Sequence, residues 1–63
     1  MTDFTVENHG SLLLIWPNTV EASKWLADHV EEEAQWFGPA LSVEPRYLQS
    51  LVEGLREDGF STN

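Results

Sequence analysis

The stretch Leu41 to Phe60, LSVEPRYLQSLVEGLREDGF, leaves the rest of the chain least freedom, because strand, helix start, helix and helix stop follow in it without a gap. Leu41 and Val43 alternate with Ser42 and Glu44, the period of a half-buried strand. Pro45 suits the first turn of a helix, where a missing N–H leaves nothing unsatisfied. Leu48, Leu51, Val52 and Leu55 then recur at i, i+3, i+4 and i+7, one apolar stripe. Gly59 supplies the positive φ that closes many helices. Gly54, inside the stripe, costs about 1 kcal/mol against alanine, and its bare backbone leaves room for Trp25 or Trp36 to lie close.

The remaining chain is read against that unit. Thr2 to Glu7, with Phe4 and Val6 between polar neighbours, predicts a first strand. Asn8-His9-Gly10 predicts a three-residue hairpin turn. Ser11 to Trp16, SLLLIW, predicts a second strand whose continuous apolar run implies burial on both faces. Pro17 ends it. Asn18 with Glu21 three residues on predicts a capping box. Ala22, Trp25, Leu26, His29 and Val30 predict a helix running to about Val30 or Glu33. Gln35-Trp36-Phe37-Gly38-Pro39 reads as a loop broken at Gly-Pro, its aromatics folded back onto the core. Phe60 to Asn63 is a tail, or a minimal edge strand if Phe60 packs inward.

The expected fold is a small α+β domain in the order β-β-α-β-α. Its sheet has three strands and is mixed, since a strand, a crossover helix and a strand favour a parallel pair. Both helices lie on one face. The other face then carries either Leu12, Leu14 and Trp16, or Leu13 and Ile15. An apolar patch left there marks an interaction surface for a partner or a second copy, unless the N-terminus or the Trp36-Phe37 loop covers it.

A chain of 63 residues makes one domain, and at that size only about 60% of the unfolded surface is buried. With no cysteine, neither a disulfide nor a thiolate zinc site can staple it. The acidic N-terminus and short apolar runs predict a soluble, cytoplasmic protein without a signal peptide or membrane span.

The chemistry of a catalytic site is not visible. Ser11, Ser23, Ser42, Ser50 and Ser61 stand in no nucleophile motif, and no glycine-rich phosphate loop occurs. His29 with Glu32 and Glu33 has the spacing for a metal pair, but two or three ligands on one helix end do not close a site. His29 reads better as the edge of the apolar stripe, its cationic form favoured by a helix C-terminus. No enzyme, cofactor or metal is expected.

Eleven acids against Lys24, Arg46 and Arg56 give a net charge of −8. Such an excess repels nucleic acid and anionic membranes and draws basic partners. The plainest reading of it is solubility. The sharper one takes the acids as a binding array: Asp28, Glu31, Glu32 and Glu33 first, then Glu53, Glu57 and Asp58. Carboxylates at i, i+3 and i+4 lie about 5–6 Å apart at Cβ, a spacing similar in scale to that of phosphates along a strand. Acids at Glu31 to Glu33 also oppose the helix dipole, a local cost that hints at a use other than stability.

The run WFGPALSVEPRYLQSLVEGLREDGF, Trp36 to Phe60, resembles short acidic proteins of bacterial genomes, plasmids and prophages. The likeness covers about the C-terminal half and implies a genomic context, with no catalytic residue to carry over. In size, acidity and lack of a catalytic motif the chain is similar to anti-CRISPR proteins of the DNA-mimic type. That resemblance rests on character rather than on matched residues. It implies an inhibitor that occupies a basic groove of a Cascade-type or Cas effector complex and blocks DNA or RNA. The alternative is a partner-binding or homodimeric module, such as an antitoxin or complex subunit, working through the apolar sheet face.

Overall fold

The computed structural model describes residues 2–30 and 34–63. It is an α+β domain with the elements β1 (Phe4–Asn8), β2 (Leu13–Pro17), α1 (Val20–His29), β3 (Gln35–Phe37), β4 (Ala40–Val43) and α2 (Pro45–Glu57). The sheet has four strands in the order β1-β2-β4-β3, and every neighbouring pair is antiparallel. The expectation of a three-stranded mixed sheet is thereby corrected. The strand it lacked is β3. Gly38 has φ 61° and Pro39 cannot take positive φ, which fits a type II′ turn with glycine first. Gly-Pro therefore joins two strands instead of breaking structure. One extra strand reverses the chain, so β4 runs antiparallel to β2.

The β1–β2 connection is also longer than three residues. His9 donates its N–H to the Leu12 carbonyl at 2.9 Å, and the Asn8 side chain accepts from Gly10 N–H at 2.9 Å. At the start of α1, Thr19 rather than Asn18 is the cap: its hydroxyl accepts from Ala22 N–H at 3.0 Å. Asn18 has other work. Its Nδ2 donates to Thr2 O at 3.1 Å and to Thr5 Oγ1 at 2.9 Å, fastening the exit of β2 to β1. Helix α1 stops at His29, because Val30 is already extended.

Helix α2 follows the sequence closely. Pro45 opens it, and Gly59, with φ 91°, lies just past its end. Phe60 N–H reaches Leu55 O at 2.9 Å and Gly59 N–H reaches Arg56 O at 3.0 Å. These are the two bonds of a Schellman cap. Its usual apolar contact is present too, since Phe60 packs against the core that holds Leu55.

Strand parity settles the core. Directly opposite residues share a face, and the register pairs Val6 with Ile15, Ile15 with Leu41 and Leu13 with Val43. That face meets Ala22, Trp25 and Leu26 of α1 and Leu55 of α2 in one cluster. Phe4, Ile15, Leu26 and Leu55 are fully buried, each worth about 1.5–3 kcal/mol of transfer free energy. The Phe4 ring meets Trp25 at 6.0 Å and Phe60 at 5.6 Å, both edge-on.

Phe60 thus packs inward, and the tail behind it forms a minimal strand beside β1. Thr62 bridges Phe4 in parallel. The Asn63 side chain accepts from Val6 N–H at 2.8 Å and donates to Val6 O at 3.3 Å, standing in for a backbone partner. This edge of the sheet is therefore occupied. No described helix is long and apolar enough to cross a membrane.

Gly54 gives the test of this packing. A Cβ built there would meet Trp25 at 3.7 Å, an ordinary contact. Gly54→Ala is expected to stabilise the protein by about 0.5–1 kcal/mol through helix propensity. Thermal denaturation should show Tm raised by several degrees, and a lowered Tm would mean that Trp25 needs a closer approach.

Candidate functional site

Two surfaces have features that the core does not use: the outer side of the helices, with the acids, and the sheet face that no helix covers. On the helix side, Asp28 is exposed near the end of α1, one turn past Lys24. Glu31, Glu32 and Glu33 lie outside the described residues, as do the partners of the metal pair considered for His29. Glu53 and Glu57 share one exposed stripe of α2 with Gln49, whose Nε2 reaches Glu53 Oε1 at 3.5 Å. Arg56 interrupts that stripe. Arg46 sits one turn earlier and pairs with Glu44 at 3.1 Å.

Asp58 has a different place. Its Oδ2 accepts from Trp25 Nε1 at 2.6 Å and lies 3.8 Å from His29 Nε2. The His29 ring stacks on Trp25 with centroids 4.2 Å apart. His29 Nδ1 is 2.9 Å from the Trp25 carbonyl. A carbonyl only accepts, so Nδ1 carries a proton and Nε2 is the nitrogen turned toward Asp58. Asp58, still half exposed, thus also links the two helices.

The uncovered sheet face is carried by the other strand parity. Glu7 stands opposite Leu14, Leu14 opposite Ser42, Thr5 opposite Trp16 and Phe37 opposite Ala40. Leu12 is 37% and Phe37 54% exposed. Leu14 and Trp16 are half-buried. His9, Leu12, Leu14 and Phe37 line a shallow depression of about 210 Å³. Of the two alternatives for SLLLIW, the structure takes the one with Leu13 and Ile15 in the core.

Trp36 and Phe37 do not fold onto the core as a loop would. They alternate across β3, Trp36 on the helix side and Phe37 on the open side, and both are exposed. A broad groove of about 660 Å³ runs over β4 on the helix side, between Val30, Leu41, Val43, Tyr47 and Leu51. Its lining is apolar apart from serines, the Tyr47 hydroxyl and the Arg46-paired Glu44. The signal that would have placed Phe37 was the two-residue Gly-Pro turn between runs of strand formers.

Comparison with known proteins gives no match: no family model, no curated protein and no solved structure aligns with the chain.

The Asp58 link predicts a difference among acids of one helix end. Asp58→Ala strands the Trp25 N–H, and urea denaturation should show a loss of about 1–2 kcal/mol. Asp58→Asn, which keeps an acceptor, should lose less. Glu53→Ala and Glu57→Ala should stay within about 0.5 kcal/mol of wild type. Equal effects for all three alanine variants would contradict the assignment.

Proposed function

We propose that this is a non-enzymatic interaction protein whose negative surface engages a basic, nucleic-acid-binding protein and obstructs its access to DNA or RNA. The observation that carries the reading is an uneven charge distribution along the chain. Between Lys24 and Arg46 there is no lysine or arginine, and the carboxylates of Asp28, Glu31, Glu32 and Glu33 fall in that interval with His29, as does Glu44, which pairs with Arg46. The same interval contains the C-terminus of α1, the negative end of the helix dipole. Elsewhere on the helices acids and bases alternate, with Glu21 before Lys24 and Arg56 between Glu53 and Glu57. We take this acid-rich interval as the place to which a polycation would be steered. Glu53 and Glu57 extend the negative surface along α2. An inhibitor of a Cas effector complex, working as DNA-mimic anti-CRISPR proteins do, is the most concrete form of this function.

The test is capture of host proteins on the immobilised chain, with bait and salt varied together. Basic nucleic-acid-binding proteins are expected on the wild-type bait at about 50 mM salt and should be depleted at about 500 mM. A bait with Asp28, Glu31, Glu32 and Glu33 changed to lysine should lose the captured protein, with affinity reduced about tenfold or more. A specific partner retained at high salt on the reversed bait would overturn the electrostatic mechanism.

A further inference from the structure

We infer that the groove over β4, on the helix side, is the seat of an amphipathic helix of the partner, apolar on one face and arginine-bearing along the other. This rests on the proposed function and gives its basic partner a recognition element.

The groove, of about 660 Å³, lies within the roughly 300–1,000 Å³ of clefts that bind ligands. Leu41 and Val43 of β4 lie beneath it, Tyr47 and Leu51 line it from α2, and Val30 and Ala34 line it from either side of the connection between α1 and β3. Apolar side chains at i, i+3, i+4 and i+7 of a helix fill a groove of this kind. An extended peptide has less to gain. Strand β4 is paired on both edges, with β2 and with β3, so no main-chain partner is free there. A helix satisfies its own backbone and needs only apolar contact from the groove.

Charge around the groove selects the occupant. Glu44 lines it, and Glu53 follows Ser50, another lining residue, by one turn of α2. Glu31, Glu32 and Glu33 join Val30 to Ala34 in the sequence. Among the described residues no lysine or arginine lines the groove. An acidic helix is repelled by this border, and an uncharged one makes no use of it. A helix with an apolar face and basic flanks meets both the lining and the border.

The border also shows which cation it takes. Arg46 holds its guanidinium 4.8 Å above the Tyr47 ring centre, while its Nε pairs with Glu44 at 3.1 Å. A carboxylate beside an aromatic face receives a planar cation better than a compact ammonium. The chain's own arginine occupies that place, with its side chain 71% exposed. Exposed pairs of this sort are weak and exchange readily. An arginine of the partner, anchored by the apolar side chains beside it, displaces Arg46 from Glu44 and the Tyr47 ring.

The test is a titration of the isotope-labelled chain with synthetic peptides of about five helical turns, followed by amide NMR shifts at about 150 mM salt. One peptide has leucines on one face and arginines along the other. A second has the same composition scrambled, and a third has glutamate in place of arginine. The first should bind with a dissociation constant on the order of 10–100 µM and move the amides of Leu41, Val43, Tyr47, Ser50 and Leu51. The scrambled peptide should bind about tenfold more weakly or worse, and the glutamate peptide not at all. Two variants at exposed residues locate the contact. Ser50→Glu adds negative charge, so capture by charge alone would tighten, whereas seating of apolar side chains over a new carboxylate should weaken about tenfold. Tyr47→Ala should weaken binding about tenfold, and Tyr47→Phe, which keeps the ring face, should not. Equal affinity for the scrambled peptide, or tighter binding by Ser50→Glu, overturns the groove and leaves the electrostatic reading of the function standing. Equal affinity for the glutamate peptide overturns the choice of a basic occupant. Shifts confined to Leu14 and Phe37 on the open sheet face, or no shift at about 1 mM peptide, also overturn the inference. Failure of the proposed function is read separately, from host capture that salt does not disturb.

Discussion

The Trp25 indole is where the separate pieces of this chain are tied together. One face of the ring system is stacked by His29 from its own helix, its edge lies against the bare backbone of Gly54, and its N–H is held by Asp58. Phe4 of β1 and Phe60 of the tail complete the surround. A domain of this size has too little interior to fix two helices by aliphatic contact alone. A single large side chain that contacts both helices, a strand and the tail substitutes for a deeper core. Its polar end must still be satisfied, and that requirement explains why an acid sits immediately beyond α2. The helix ends there by a glycine cap, which turns the chain back so that Phe60 can reach the same aromatic group.

Once both helices are committed to one side, the sheet has two unequal faces. The side with Phe4, Val6, Ile15, Leu41 and Val43 is closed by α1 and α2. Among the described elements, no helix packs on the side with Leu14, Trp16 and Phe37. Trp16 shows the tension in this arrangement: its Nε1 is buried yet has no hydrogen-bond partner among the described residues. A buried N–H without an acceptor costs free energy. The apolar run of β2 is therefore not explained by burial on both faces within one copy.

Much of this was legible from the order of residues, and what was missed has a single physical origin. The α2 stripe, the Pro45 start and the Gly59 stop are local matters of period and dihedral angle, and they hold as read; the first stripe holds only as far as His29, since Val30 is extended. Which face of β2 turns inward was left open by its unbroken apolar run, and only the sheet register decides it in favour of Leu13 and Ile15. The sheet topology failed at Gly38-Pro39. A glycine followed by proline breaks helices and central strands, but it also satisfies a type II′ hairpin turn, and only the flanking residues separate the two cases. Trp36 and Phe37 have the strand propensity that should have decided it. Because strand direction alternates through a hairpin, the one overlooked strand changed β2–β4 from parallel to antiparallel. The site was less legible. Asp58 reads as one more exposed acid until Trp25, far away in sequence, is seen to donate to it. Asn18 likewise reads as a cap until Thr2 and Thr5 are beside it.

The distribution of cross-links also separates the parts of the molecule that are fixed from those that are least so. The chain ends are joined to each other: Ser61 N–H donates to Asp3 at 3.0 Å, and Thr62 and Asn63 lie along β1. Strand β3 has no such support. It is three residues long, pairs only with β4 among the described strands, and buries none of its own side chains. Elements with few buried contacts open at the lowest free energy, and surfaces that bind are drawn from them. In this chain that element follows directly on the acid-rich interval and contributes Phe37 to the uncovered face. Charge and exposed apolar surface thus adjoin at the least constrained corner of a scaffold whose opposite edge is sealed, so contact there can be made without disturbing the aromatic core.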